Sequence, residues 1–170
     1  MFRKILVPID ETAASMRALD SAIELAEGTN STLVVMTVIG KPGGWVSAPA
    51  ASVTFLVEEA TRALEHERKA LLDYALSRVH ENTPCMRVLD TGEPGERILH
   101  QLESDDYDLV VIGSRGLHGV SASVLGSVSK QVLRKSMVPV MIVHANEDYE
   151  DWTPPPGTSP DDSPPSGDDA

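Results

Sequence analysis

Residues 108–116 read DLVVIGSRG, and after nine intervening positions residues 126–129 read GSVS. The apolar run Leu109–Ile112 reads as a strand, and the segment Ser127–Lys135 reads as a helix entered through Gly126. A strand that leads through a glycine-rich turn into a helix is the building unit of an α/β domain. The same unit stands at the start of the chain. There Arg3–Ile9 (RKILVPI) ends at Asp10 and is followed by Met16, Leu19, Ile23 and Ala26 at helical spacing, with Gly28 and Asn30 as the stop.

The unit repeats between these two copies. Ser31–Ile39 (STLVVMTVI) is almost continuously apolar, as a strand covered on both faces must be. A Pro/Gly/Ala-rich loop, 40–51, precedes a long helix from about Val53 to His80, whose Leu56, Ala60, Leu64, Leu71, Ala75 and Val79 trace one face. Glu58, Glu59, Arg62, Glu65, Arg68 and Lys69 supply its wet side. Met86–Leu89 gives a third strand, Pro94–Leu102 a helix with proline in its first turn, and Val140–Val143 a fifth strand. Strand alternating with helix requires parallel pairing, because each crossover needs a helix. The expected fold is a doubly wound α/β domain with an open parallel sheet and helices on both faces.

Composition bounds the function. A chain of 170 residues with 41% hydrophobic content suits one domain with its own core. The single cysteine, Cys85, rules out an intrachain disulfide and fits a reducing, cytoplasmic compartment. The apolar run Ile5–Ile9 is too brief for a signal-peptide core, and no stretch approaches a membrane span. Eight of the acidic residues lie beyond His144 with no Lys or Arg among them, so the net charge of −12 leaves only −4 for the rest. A mildly acidic body repels nucleic-acid phosphates and anionic lipid, and neither is expected as a partner. Residues 145–170, rich in Pro, Ser, Gly and Asp, cannot bury enough apolar area to offset their ordering entropy, so they read as a disordered tail on a 1–144 domain.

In an open parallel sheet, ligands sit beyond the carboxyl ends of the strands, where strand order reverses. Two loops lie there: Val7-Pro8-Ile9-Asp10, which places a carboxylate at the end of the first strand, and the Gly113–Ser129 segment. Glycines at 113 and 116 can take φ > 0 and let backbone N–H groups approach a phosphate. Gly126 and Ser127 stand at a helix entrance, where unpaired N–H groups and the helix dipole favour an anion. Ser127 and Ser129 add hydroxyl donors. Asp10 can accept hydrogen bonds from both hydroxyls of a ribose.

The spacing glycine, two residues, glycine, nine residues, glycine, Ser/Thr is similar to the motif of the universal stress protein family, in its ATP-binding branch. Gly113, Gly116, Gly126 and Ser127 match it without a gap, and ILVPID, DLVVIGSRG and VPVMIV extend the resemblance from about Arg3 to Val143. The resemblance implies strand order 3-2-1-4-5. It implies that Val7, Pro8 and Val38 flank or hydrogen-bond adenine, with Ile9 beside them and Ile112 lining the base pocket. Asp10 and Gly113 would hold the ribose. Gly116, Gly126, Ser127, Val128 and Ser129 would carry the triphosphate, with Arg115 close by and a magnesium or manganese ion bridging phosphate oxygens. It also implies a homodimer through Val140–Val143, an edge strand that otherwise invites aggregation.

Simpler roles stand beside these. The glycine loop could be flexible without a ligand, Asp10 could cap the helix near Thr12, and Arg115 could be a surface charge. His118 has no Ser or carboxylate arrangement to make it a catalytic base, and Trp45 sits in the Pro/Gly loop. No Gly-Lys-Ser/Thr follows the glycines and no G-x-G-x-x-G follows the first strand, which argues against a P-loop and against NAD or FAD. Three functions remain open: an ATP-binding stress-response module read by a protein partner, a slow ATPase or nucleotidyl transferase, and a nucleotide-free dimeric interaction protein.

Overall fold

The structure, a computed structural model, describes residues 1–40, 50–114, 125–149 and 152–158, without the side chains of 50–57. Five parallel strands, β1 (Lys4–Pro8), β2 (Thr32–Ile39), β3 (Cys85–Thr91), β4 (Leu109–Gly113) and β5 (Val140–Val143), form one sheet in the order β3-β2-β1-β4-β5. The helices between them are α1 (Ala13–Thr29), α2 (Ala50–Ser77), α3 (Pro94–Ser104) and α4 (Ser127–Lys135). This is the expected doubly wound α/β fold.

Alternation along the strands divides the core in two. Ile5 and Val7 of β1, with Leu33 and Val35 of β2, face Met16, Leu19 and Ile23 of α1 and Leu71, Leu72 and Ala75 of α2. Leu6, Val34, Met36 and Val110 point the other way, against Ile98 and Leu102 of α3 and Val132 of α4. Burial on both faces explains why β1, β2 and β4 read as unbroken apolar runs.

Element ends differ from the sequence reading where backbone chemistry decides them. Helix α1 starts at Thr12, whose hydroxyl accepts the Ser15 N–H. It stops at Asn30, which adopts the left-handed conformation (φ 55°) and donates its N–H to the Ala26 carbonyl. Gly28 lies inside the helix. Helix α2 ends at Ser77 rather than His80, because Arg78 and Val79 donate back to Ala75 and Leu76 in tighter turns. Strand β3 spans seven residues, longer than the apolar core of Met86–Leu89, because its backbone pairs with β2 from Cys85 to Thr91.

Part of the segment after β5 packs back onto the domain. Glu147–Tyr149 forms a 3₁₀ turn, and Tyr149 and Trp152 lie half-buried against the α1/α2 core. The Tyr149 hydroxyl donates to Asp20 of α1, which also receives Arg78, just past the end of α2, through Nε at 3.0 Å and Nη2 at 2.7 Å. Burial, then the Asp20 hydrogen bond, push the Tyr149 phenol up to about 12. Average composition hid these two aromatic anchors among prolines and acids.

Candidate nucleotide site

The order β3-β2-β1-β4-β5 sends the chain outward from β1 in both directions, which opens a crevice at the carboxyl ends of β1 and β4. The end of β1 is fixed from several sides. Ile9 donates its N–H to the Met36 carbonyl at 2.7 Å, and the buried Thr37 hydroxyl donates to the Ile9 carbonyl at 3.0 Å. Asp10 donates its N–H to Ser15 Oγ at 2.8 Å, while its Oδ1 accepts the Thr12 N–H at 3.0 Å and the Thr12 hydroxyl. Asp10 therefore braces the capping residue rather than capping α1 itself. Burial pushes its carboxyl up, against the opposing pull of the Thr12 hydrogen bonds.

Gly113 ends β4 without a left-handed φ, contrary to the conformational role expected for it. Its missing side chain serves packing: a Cβ there would stand 2.8 Å from the Ala14 carbonyl carbon and 2.8 Å from the Ser15 nitrogen. The first turn of α1 is thus pressed onto the end of β4. Ser114 donates its N–H to the Val143 carbonyl at 2.7 Å and accepts the Gly126 N–H at 2.7 Å, so both ends of the glycine segment are joined.

Gly126 caps α4 with ordinary extended backbone (φ −60°, ψ 160°) and has no side chain to offer its first turn. The first N–H that returns into this helix is that of Lys130, bound to the Gly126 carbonyl at 2.9 Å. Helix geometry leaves the N–H groups of Ser127, Val128 and Ser129 without intrahelical acceptors. The exposed Ser127 hydroxyl stands beside them. The Ser129 hydroxyl does not: it is buried and donates to the Gly113 carbonyl at 2.7 Å, so the expectation of a second hydroxyl for phosphate is corrected.

These walls enclose a cavity of about 400 Å³. Pro8, Ile9, Asp10, Val38, Ile112 and Gly113 line one part of it, and Gly126, Ser127, Val128 and Ser129 another. Val7 does not line it. Strand alternation sends that side chain into the α1/α2 core, where it is fully buried. Arg115 and Gly116, with Trp45 and His118, lie outside the described residues.

Sequence reading missed other parts of the wall: Ser15, Met36 and Thr37, then Pro94 and Ile98 of α3, and Arg68 of α2. Arg68 was assigned to the wet face of α2, yet its side chain is only 13% exposed and forks onto Glu11, itself 3% exposed. Only knowledge of how α2 crosses the β1–α1 turn could have paired them. Among the described residues there is no group of His, Cys, Asp or Glu that could hold a metal ion, and no helix is long and apolar enough to cross a membrane.

Residues 1–144 match the model of the universal stress protein family. The chain belongs to this family. The universal stress protein YxiE of Bacillus subtilis is 30% identical over 148 residues, covering 84% of this chain and 99% of its own length. Among solved structures, hypothetical protein MJ0577 superposes with a TM-score of 0.73 at 24% identity, covering 86% of this chain and 98% of that one. A universal stress protein in complex with cAMP superposes at 0.56 (23% identity, covering 85% and 98%). An Arabidopsis thaliana family protein with AMP bound superposes at 0.58 (19% identity, covering 86% and 94%).

Proposed function

We propose that this universal stress protein is an ATP-binding stress-response module in which occupancy of the crevice alters a surface read by a protein partner. The observation that carries the reading is the uncapped first turn of α4, opening onto a largely apolar cavity that has Asp10 in its wall. An anion satisfies such N–H groups and meets the positive end of the helix dipole. Apolar Pro8, Val38 and Ile112 suit a base, and a carboxylate suits sugar hydroxyls. The neighbours crystallised with cAMP and AMP support an adenine nucleotide.

In this reading the base lies against Pro8, Val38 and Ile112, with Ile9 beside it. The ribose meets Asp10 and Gly113. The phosphates rest on the N–H groups of Ser127, Val128 and Ser129 and on the Ser127 hydroxyl, with Gly126 close by. Arg115 and Gly116 are assigned to the phosphates by the family motif alone. A magnesium or manganese ion would be held through phosphate oxygens, where it neutralises their charge. Without a P-loop lysine, turnover is expected to be slow at most.

The protein is further proposed to be cytoplasmic and to dimerise through β5. That edge strand exposes Met141, and the apolar Leu133 and Met137 are exposed nearby in sequence. Sedimentation showing only monomer at micromolar concentration would remove the dimer.

The test of the nucleotide reading is mass spectrometry of small molecules released from freshly purified protein, beside a thermal shift with ATP. Ligand at one hundred times its dissociation constant stabilises by about 2.7 kcal/mol. Recovered ATP and a rise in Tm are expected, both lost in Asp10→Ala and Gly126→Val proteins that remain folded. No nucleotide and no shift would leave the interaction-protein alternative.

A further inference from the structure

Arg68 lines the same cavity as Asp10 and has hydrogen-bonding capacity to spare. Its Nη1 and Nη2 each give one N–H to a Glu11 oxygen, with Nη2 to Oε1 at 3.1 Å. Each of these nitrogens carries a second N–H, and Nε carries another. Among the described residues nothing accepts from those that remain, and Nε is buried without a hydrogen-bond partner. The fork onto Glu11 fixes the plane of the guanidinium, so the spare donors are placed in advance of any ligand.

Asp10 has the opposite surplus. Its Oδ1 accepts the Thr12 N–H and the Thr12 hydroxyl, whereas its Oδ2 receives no hydrogen bond among the described residues. Burial raises this carboxyl and the Arg68 charge is among the influences that oppose the rise, so the two side chains stand within electrostatic reach of each other. A carboxylate only accepts and a guanidinium only donates, but a hydroxyl does both. A sugar hydroxyl set against this part of the wall satisfies the two at once, its proton going to Asp10 Oδ2 and its lone pair taking an Arg68 N–H.

We infer that Arg68, oriented by Glu11, is a ligand-binding residue that donates to a sugar hydroxyl whose proton Asp10 accepts, so that the crevice selects ribonucleotides over nucleotides lacking the 2′ and 3′ hydroxyls. This role rests on the reading that Asp10 meets the ribose, and it brings into the site a helix, α2, that the glycine motif does not include.

The test is calorimetric titration of the full chain with ATP and with 2′,3′-dideoxy-ATP, which carries the same charge and lacks both hydroxyls. Removing Arg68 alone would leave Glu11 buried and unpaired, so the variant is Glu11→Gln/Arg68→Met, which replaces the pair without altering the net charge. The parent is expected to prefer ATP at least about tenfold, and the variant to lose at least about tenfold in ATP affinity while binding the dideoxy ligand as the parent does. Equal affinity of the parent for both ligands overturns the role of Arg68 without any variant. A preference for ATP that is unchanged in the folded variant overturns it as well, as does an equal loss for both ligands. A parent that binds neither ligand removes the nucleotide reading itself, and the role of Arg68 with it.

Discussion

The buried hydroxyl of Ser129 donates to the carbonyl of Gly113 across 2.7 Å, tying the first turn of α4 to the last residue of β4. Two serines that look equivalent in sequence thus do different work. Ser129→Ala is expected to cost about 1–2 kcal/mol of stability, since it leaves a buried carbonyl without its donor. Ser127→Ala, at an exposed position, should leave stability within about 0.5 kcal/mol and weaken ATP binding instead. Chemical denaturation and nucleotide titration of both variants separate the two effects.

Asp10 carries a cost in the empty protein. Because burial raises its carboxyl above the ordinary value, ionisation disfavours the folded state. The stability tied to its protonated form is complete below the unfolded pKa and is lost as pH rises through the folded one. Asp10→Asn, which keeps an oxygen for the Thr12 N–H, should melt higher than the parent at neutral pH and converge with it in acid. The same variant should bind ATP at least about tenfold more weakly. Thermal melts across pH, with and without ATP, check both halves.

Two glycines test the close approaches around the site. Gly113→Ala places a methyl 2.8 Å from the backbone of Ala14 and Ser15, which cannot move without shifting α1. A loss of about 1–3 kcal/mol is expected. Gly95→Ala meets only the end of the Gln131 side chain, and that end can swing aside, so a smaller loss is expected. Equal costs in urea denaturation would contradict this account.

Tyr149 gives a spectroscopic handle on the segment after β5. Of the three tyrosines, it should titrate at about 12, and the contribution of its protonated hydroxyl is present below about pH 10 and lost through about 12. Tyr149→Phe should remove that late phenolate step from the ultraviolet absorbance and cost about 1 kcal/mol. A parent whose tyrosines all ionise near pH 10 would show that the Asp20 contact does not form.

Strands and helices were readable because burial on both faces leaves β1, β2 and β4 as apolar runs, whereas α1 shows helical spacing from Met16 to Ala26. The strand order came from the family motif, since periodicity does not say which strands are neighbours. At the site, Asp10 and the Gly126–Ser129 turn could be found because they lie at element boundaries next to chemistry-bearing residues. Arg68 and Thr37 could not: they reach the crevice from the interior of α2 and from within an apolar strand, where nothing local marks them. Gly113 lines the crevice because its missing side chain makes room for a neighbouring helix, and in sequence such a glycine looks like one that turns the chain.

The hydrogen bond between the Ser114 carbonyl and the Gly126 N–H has a consequence for how the protein can diverge. It closes the intervening stretch at its base, so β4 and α4 are held in register by a neck that owes nothing to what lies beyond it. Loop closure costs grow only slowly with length. The length and composition of residues 115–124 can therefore change while the sheet beneath is left as it was.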